Sequence, residues 1–315
     1  MIHVQELCKS FQQKPILTDL NFRLEAGDRL ALLGPNGSGK TLLIKILATL
    51  IKPTSGSIEI AGYDTIKDVH TVRPLIGYVP QTFDGYPTLS IQEYLEFFAA
   101  AYELDKGQRA TGIQDVLDLM DLATLRDEKI KHLSLGQKQR LCLAKTFLHD
   151  PSVWLIDAPI SLLDPQGQAE MGALIQELGE MGKTVILATN TLTDVIIPCN
   201  RVGVLNEGRL AFYGEMSEIS ERYGNRHRLE IEVASGMETA QAILAERSDV
   251  ISLQITDGLI QIESQMTQIE TTNLLKDLIR GDVTISRFQR IEYGLADLFL
   301  EVTSSTTSDE RTAEG

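Results

Sequence analysis

Short β-branched and aliphatic runs alternate with segments of helical periodicity through the first two-thirds of the chain. "RLALLG", "SIEIAG", "SVWLID", "TVILAT" and "RVGVL" read as strands, with amphipathic segments long enough for helices between several of them. Buried strands alternating with helices predict an α/β sandwich with a largely parallel sheet. From Asp84 to Asp150 the pattern is helical throughout, with "SIQEYLEFFAAAYEL" and "GIQDVLDLMDLATL" as its clearest helices, so this interval reads as a helical insertion.

A second pattern begins near Arg226. "LEIEV" is a strand, "METAQAILAE" a helix, "VISLQITDGLIQIES" two strands around an Asp257-Gly258 turn, "TTNLLKDLIRG" a helix and "VTISRFQRI" a strand. The order βαββαβ predicts a small ferredoxin-like α+β domain over residues 226–303, closed by the helix "GLADLFLEV". The larger domain is expected over 1–222. Residues 304–315 are polar and aperiodic, and are expected to be disordered.

Composition narrows the function. With 29 Lys and Arg against 44 Asp and Glu, the formal net charge is −15, which argues against a nucleic-acid partner, because phosphate-backbone binding needs clustered cations. Cys8, Cys142 and Cys199 fit no metal or redox spacing and read as reduced core thiols. The start "MIHVQELCKSF" has neither a basic leader nor an apolar core, so no signal peptide is expected. No apolar run reaches spanning length; "LLIKILATLI" is interrupted by Lys45 and followed by Pro53. Any membrane work therefore calls for a separate spanning subunit.

The chemistry sits in one loop. Gly34-Pro35-Asn36-Gly37-Ser38-Gly39-Lys40-Thr41 matches G-x-x-x-x-G-K-[ST], follows the strand "RLALL" and opens the helix "TLLIKILATL". The glycines let successive backbone N–H groups face a phosphate, the helix N-terminus adds positive potential, Lys40 reaches the β and γ phosphates, and Thr41 can hold Mg²⁺. Asp157 ends the apolar strand "VWLI", a carboxylate at the carboxyl end of a parallel strand, and reads as the magnesium aspartate. A nucleoside triphosphate is the expected ligand.

At this point residues 1–215 resemble the nucleotide-binding subunit of an ATP-binding cassette (ABC) transporter, a P-loop NTPase. Gln81 in "GYVPQ" resembles the Q-loop glutamine, "LSLGQKQR" (Leu133 to Arg140) the signature motif, and "SLLD" (Ser161 to Asp164) the D-loop. Phe11 stands where the family stacks an aromatic ring on adenine. The C-terminal extension resembles the bacterial branch that includes daunorubicin- and bacitracin-type exporters. The resemblance implies ATP and Mg²⁺ as cofactors, with Thr41, Gln81 and Asp157 around the metal. It implies that Ser134, Gly136 and Gln137 meet the γ-phosphate held by a second ABC ATPase subunit, in a homodimer or a heteromer. It further implies a separate transmembrane permease and a peripheral place on the cytoplasmic face of the membrane. A regulatory ATP-binding module without transport is the alternative reading.

Three positions depart from the family pattern. Ala158 follows Asp157 where the family places the glutamate that assists the attacking water, and Asn190 stands where it places a histidine on the γ-phosphate. Leu135 replaces a signature glycine. Alanine cannot take a proton, and an amide donates a hydrogen bond without carrying charge. The first two changes strike hydrolysis, whereas the groups that grip ATP remain.

Other candidates carry less. Tyr94, Leu95, Phe97, Phe98 and Tyr102 recur at helical spacing, as a core stripe or, by the resemblance, as walls of a groove for the permease's coupling helix. His3, His70, His132, His149 and His227 show no ligand spacing, and Arg280, Arg287 and Arg290 read as a solvated face.

Overall fold

The computed structural model describes residues 1–83, 85–157, 165–191, 199–223 and 226–304. Ala158, the "SLLD" stretch and the tail from 305 onward lie outside the described residues. The chain divides into two compact units, 1–216 and 217–301.

The first unit opens with an antiparallel hairpin, β1 (Ile2–Phe11) and β2 (Lys14–Leu24), followed by β3 (Arg29–Leu33) and α1 (Lys40–Leu47). Next come β4 (Ser55–Ile60), β5 (Tyr63–Asp64), the short α2 (Val69–Val72) and β6 (Ile76–Val79). Helices α3 (Ile91–Ala101), α4 (Lys106–Leu119) and α5 (Leu135–Phe147) form the interval read as a helical insertion. The unit finishes with β7 (Val153–Asp157), α6 (Pro165–Glu180), β8 (Thr184–Thr189), β9 (Arg201–Asn206) and β10 (Arg209–Glu215).

Two sheets result. The six-stranded one has the order β10-β9-β3-β8-β7-β6 and is parallel throughout except for β10. The other, β2-β1-β4-β5, is antiparallel, so the run "SIEIAG" pairs with the amino-terminal hairpin rather than joining the parallel set. One core joins them: Leu7, Leu20 and Ile58 of the antiparallel sheet pack with Leu32, Leu155 and Ile186 of the parallel one. Val153 to Ile156 and Val185 to Ala188 are completely buried, as expected of central strands covered on both faces.

The second unit opens with α7 (Met216–Tyr223) and runs on through β11 (His227–Ser235), α8 (Met237–Ala245), β12 (Val250–Thr256), β13 (Leu259–Ser264), α9 (Gln268–Arg280), β14 (Thr284–Glu292) and α10 (Leu295–Ser304). Its sheet order β12-β13-β11-β14, antiparallel at every step, is the ferredoxin-like arrangement. Leu229, Ile231, Ile260 and Ile262 of the sheet pack against Leu244, Leu274 and Leu278 of the two helices.

Candidate functional site

The parallel strand β7 and the loops after three others bring most of the predicted site residues to one end of the six-stranded sheet, and Phe11 joins them from β1. β3 leads into the phosphate loop, β6 toward Gln81, β7 ends on Asp157 and β8 leads to Asn190. The carboxyl ends of parallel strands are where ligands bind in open α/β sheets. Phe11, Asn36, Gly37, Gly39, Lys40, Thr41, Gln81, Asp157 and Asn190 line one cleft of 520 Å³ there.

The loop is shaped by its glycines. Gly37 and Gly39 adopt φ of 84° and 106°, a region in which side chains are strained, and Gly39 caps the start of α1. Ser38 is buried, with its Oγ lacking a partner. The Lys40 ammonium donates to the carbonyls of Gly34 and Pro35 at 2.7 and 2.9 Å. Asn190 Nδ2 donates to Asn36 Oδ1 at 3.3 Å, tying the loop after β8 to the phosphate loop.

Asp157 is 1% exposed; its Oδ1 accepts from the Thr41 hydroxyl at 3.0 Å and its Oδ2 has no partner. Burial raises its pKa above the usual carboxylate value, against the opposing pull of the Thr41 hydrogen bond, Lys45 and Lys40. Burial likewise lowers the Lys40 pKa, against the attraction of Asp157. At both groups desolvation outweighs their mutual attraction, so each gains from one more charge: an anion at Lys40 and a cation at Asp157. An orphaned carboxylate oxygen beside a hydroxyl is a donor set that suits Mg²⁺, a hard ion that takes oxygen ligands and commonly completes its shell with phosphate and water. Among the described residues no group of three or more His, Cys, Asp or Glu could hold a metal without such help.

Lys45 belongs to this site and was not singled out from the sequence. It lies four residues beyond Thr41 on α1, and helical periodicity places it on the same face. Ser134, Gly136 and Gln137 are not in the cleft. They open α5, where Ser134 Oγ accepts from the Gln137 amide at 3.2 Å and the Gln137 side chain accepts from the Ser134 amide at 2.9 Å, a capping box. The exposed Leu135 shares their pocket, between α5 and α6.

A second cavity of 360 Å³ shares Thr41, Lys45, Gln81 and Asp157 with the cleft and extends to Tyr78, Phe83, Tyr86, Tyr94 and Phe98. The aromatic stripe is buried on one side and open on the other. Tyr94 and Leu95 are buried, while Tyr86 and Phe97 are about half exposed, with their rings tilted against each other at 5.3 Å. Lys145 lies 5.4 Å over the Phe98 ring, and burial lowers its pKa.

The ABC transporter family model matches residues 17–161. The linearmycin resistance ATP-binding protein of Bacillus subtilis (strain 168) is 27% identical over 311 residues, covering 98% of this chain and all of the relative. The daunorubicin resistance ATP-binding protein of Streptomyces coeruleorubidus is 31% identical over 237 residues, 75% of each chain. Among solved structures, a dimeric ATP-binding cassette in a post-hydrolysis state, bound to ADP and phosphate, superposes with a TM-score of 0.64 at 25% identity, covering 68% of this chain and 98% of that one. With the phosphate loop, the Thr41–Asp157 pair and these matches together, the chain belongs to the ATP-binding subunits of ABC transporters.

Proposed function

We propose that this subunit binds Mg²⁺-ATP firmly, hydrolyses it slowly on its own face, and couples ATP-driven closure with a second ATPase chain to a separate membrane permease. The observation that carries the reading is the cleft itself: every group that grips phosphate is present, while the position after Asp157 holds Ala158 and the histidine slot holds Asn190. In this reading Lys40 and the loop amides hold the phosphates, Thr41 and Asp157 hold Mg²⁺ with Gln81 nearby, and Phe11 stacks on adenine. The metal supplies charge neutralisation at the phosphates. Loss of a general base typically slows a reaction about 10²–10⁴-fold, roughly 3–5 kcal/mol of barrier, while ground-state binding is little affected.

Export fits the relatives, which are named for resistance to linearmycin and daunorubicin. Among the described residues no helix is long and apolar enough to cross a membrane, so this reading places the subunit against the cytoplasmic face through a permease. Half-exposed Tyr86, in the same cavity as Gln81, and Phe97 next to it offer that permease a docking wall. Ser134, Gly136 and Gln137, standing away from their own chain's cleft, are free to complete the partner's site. The test is a Mg²⁺-ATP titration of the full chain with product followed in the same sample. Tight binding with negligible product is expected, and rapid steady turnover overturns the reading.

A further inference from the structure

The C-terminal sheet has two edges that differ in kind. β14 at one edge carries Arg287 and Arg290, the kind of charged residue by which exposed strands usually avoid pairing with strangers. β12 at the other edge, "VISLQIT", has no charged residue and no proline in seven positions. Ile251 is 50% and Leu253 37% exposed on it. Leu253 is in register with Ile262 and Ile255 with Ile260, both core residues, so this side of β12 prolongs the apolar face of the sheet to its margin. A single bulge against β13 lies at Ile251; from Ser252 to Thr256 the ladder is regular and the edge straight enough to pair.

The sequence of that edge is also symmetric about its middle. Placed antiparallel to a copy of itself with Leu253 on the two-fold axis, Ile251 meets Ile255, Ser252 meets Gln254, Val250 meets Thr256 and Leu253 meets Leu253. Every apolar or β-branched position then faces another, and the polar pair faces itself. Antiparallel neighbours interact through such directly opposed pairs, and a closed two-fold contact needs a patch that complements itself. The nearest like charges are the aspartates at 249 and 257. Asp249 is held by Arg247 of its own chain at 2.9 and 2.7 Å, which lowers its pKa and offsets its charge.

We infer that β12 pairs with β12 of a second copy of this chain, antiparallel about Leu253, so that two C-terminal units share one continuous eight-stranded sheet. The occupant of this edge is a strand because the edge offers a row of backbone donors and acceptors. It is a second copy because the register is self-complementary. The contact is independent of the nucleotide, unlike cassette closure, and it brings together two chains that both carry Ala158.

The test uses the full chain without nucleotide. Sedimentation at 10–100 μM, a range set on the order of a modest dimer affinity, is expected to show a dimer. Leu253→Lys, which sets two ammonium groups face to face, is expected to weaken it about tenfold or more with the melting temperature of the C-terminal unit retained. Should that variant fail to fold, Leu253→Cys decides. Opposed Cβ atoms in such a pair lie about 4.5–5.5 Å apart, close enough for a disulfide to form with small adjustment. Mild oxidation is expected to link two Leu253→Cys chains, whereas Ser252→Cys, which opposes Gln254, and the unmodified chain with its three native cysteines link far less. A monomeric full chain, a Leu253→Lys dimer of undiminished strength, or equal linking at 252 and 253 overturns the inference.

Discussion

The Thr41 hydroxyl donates to Asp157 Oδ1 at 3.0 Å across 116 residues of sequence, while Oδ2 of the same carboxylate is buried without a partner. The hydrogen bond aims the carboxylate, and burial makes its charge costly until a cation shares it. Because burial raises the folded pKa above the ordinary 3.8, this group withdraws stability as pH rises from the unfolded value through the folded one. Bound Mg²⁺ removes that cost only where the carboxylate is ionised. The thermal shift given by Mg²⁺-ATP over ATP alone is therefore expected to shrink on acidification, with a midpoint above 3.8. Asp157→Asn should abolish the metal-dependent part of the shift and leave the melting temperature of the ligand-free chain at pH 7 unchanged or higher. A ligand-free Asp157→Asn protein that melts several degrees lower would contradict this account.

Ala158→Glu with Asn190→His is expected to raise ATP turnover, toward the roughly 10²–10⁴-fold that general-base assistance supplies. Neither substitution should tighten ATP binding by more than a few-fold, because the loop amides and Lys40 that carry the ground-state affinity are already in place. Single-turnover rates and equilibrium titrations of the two single variants and the double variant check both statements. Unchanged turnover in the double variant would locate the base elsewhere.

Gly39→Ala and Gly37→Ala separate conformation from crowding. Both sites lie at positive φ, where a side chain costs about 1–2 kcal/mol. A Cβ at Gly37 meets nothing within 4 Å, whereas one at Gly39 would lie 2.5 Å from Leu17 Cδ2. Gly39→Ala should consequently lose markedly more stability and ATP affinity than Gly37→Ala. Equal losses, read from denaturant midpoints and nucleotide titration, would refute the crowding argument.

The Ser134 hydroxyl accepts the capping hydrogen bond from Gln137 and still has its own hydrogen to donate outward. Ser134→Ala should cost about 1 kcal/mol, a fall of roughly 2–4 °C for a unit of this size. Ser134→Asp keeps the cap and suits the helix dipole, yet opposes a phosphate with negative charge. It should hold the melting temperature while abolishing ATP-driven cassette association, seen as the loss of the nucleotide-dependent increment in sedimentation.

The legible parts of this chain were those with strict spacing. The phosphate loop declares itself between a strand and a helix, and the C-terminal order of elements follows from clean alternation in "LEIEV" and around the Asp257-Gly258 turn. The amino-terminal hairpin was not legible because its alternation is broken. β1 and β2 slip in register between Val4 and Leu7 and again after Leu7 and Lys9, and Glu6 and Asp19 take positive φ. Bulges of this kind shift the side-chain period and hide it from a period-two reading. β6 is four residues long, too short to stand out, although it carries the chain toward Gln81. Lys45 has no signature of its own, because its value depends on Asp157, which is far away in sequence.

The six-stranded sheet acts as a ruler. Strands β3, β8, β7 and β6 are consecutive neighbours, so the strand ends that lead to the phosphate loop, Asn190, Asp157 and Gln81 are set out in steps of about 4.8 Å, some 14 Å in all. Main-chain hydrogen bonds fix those graduations, and no side chain at the tip of a strand alters them. A chain built this way can have the letters at its strand tips exchanged one by one while the spacing beneath them stays the same.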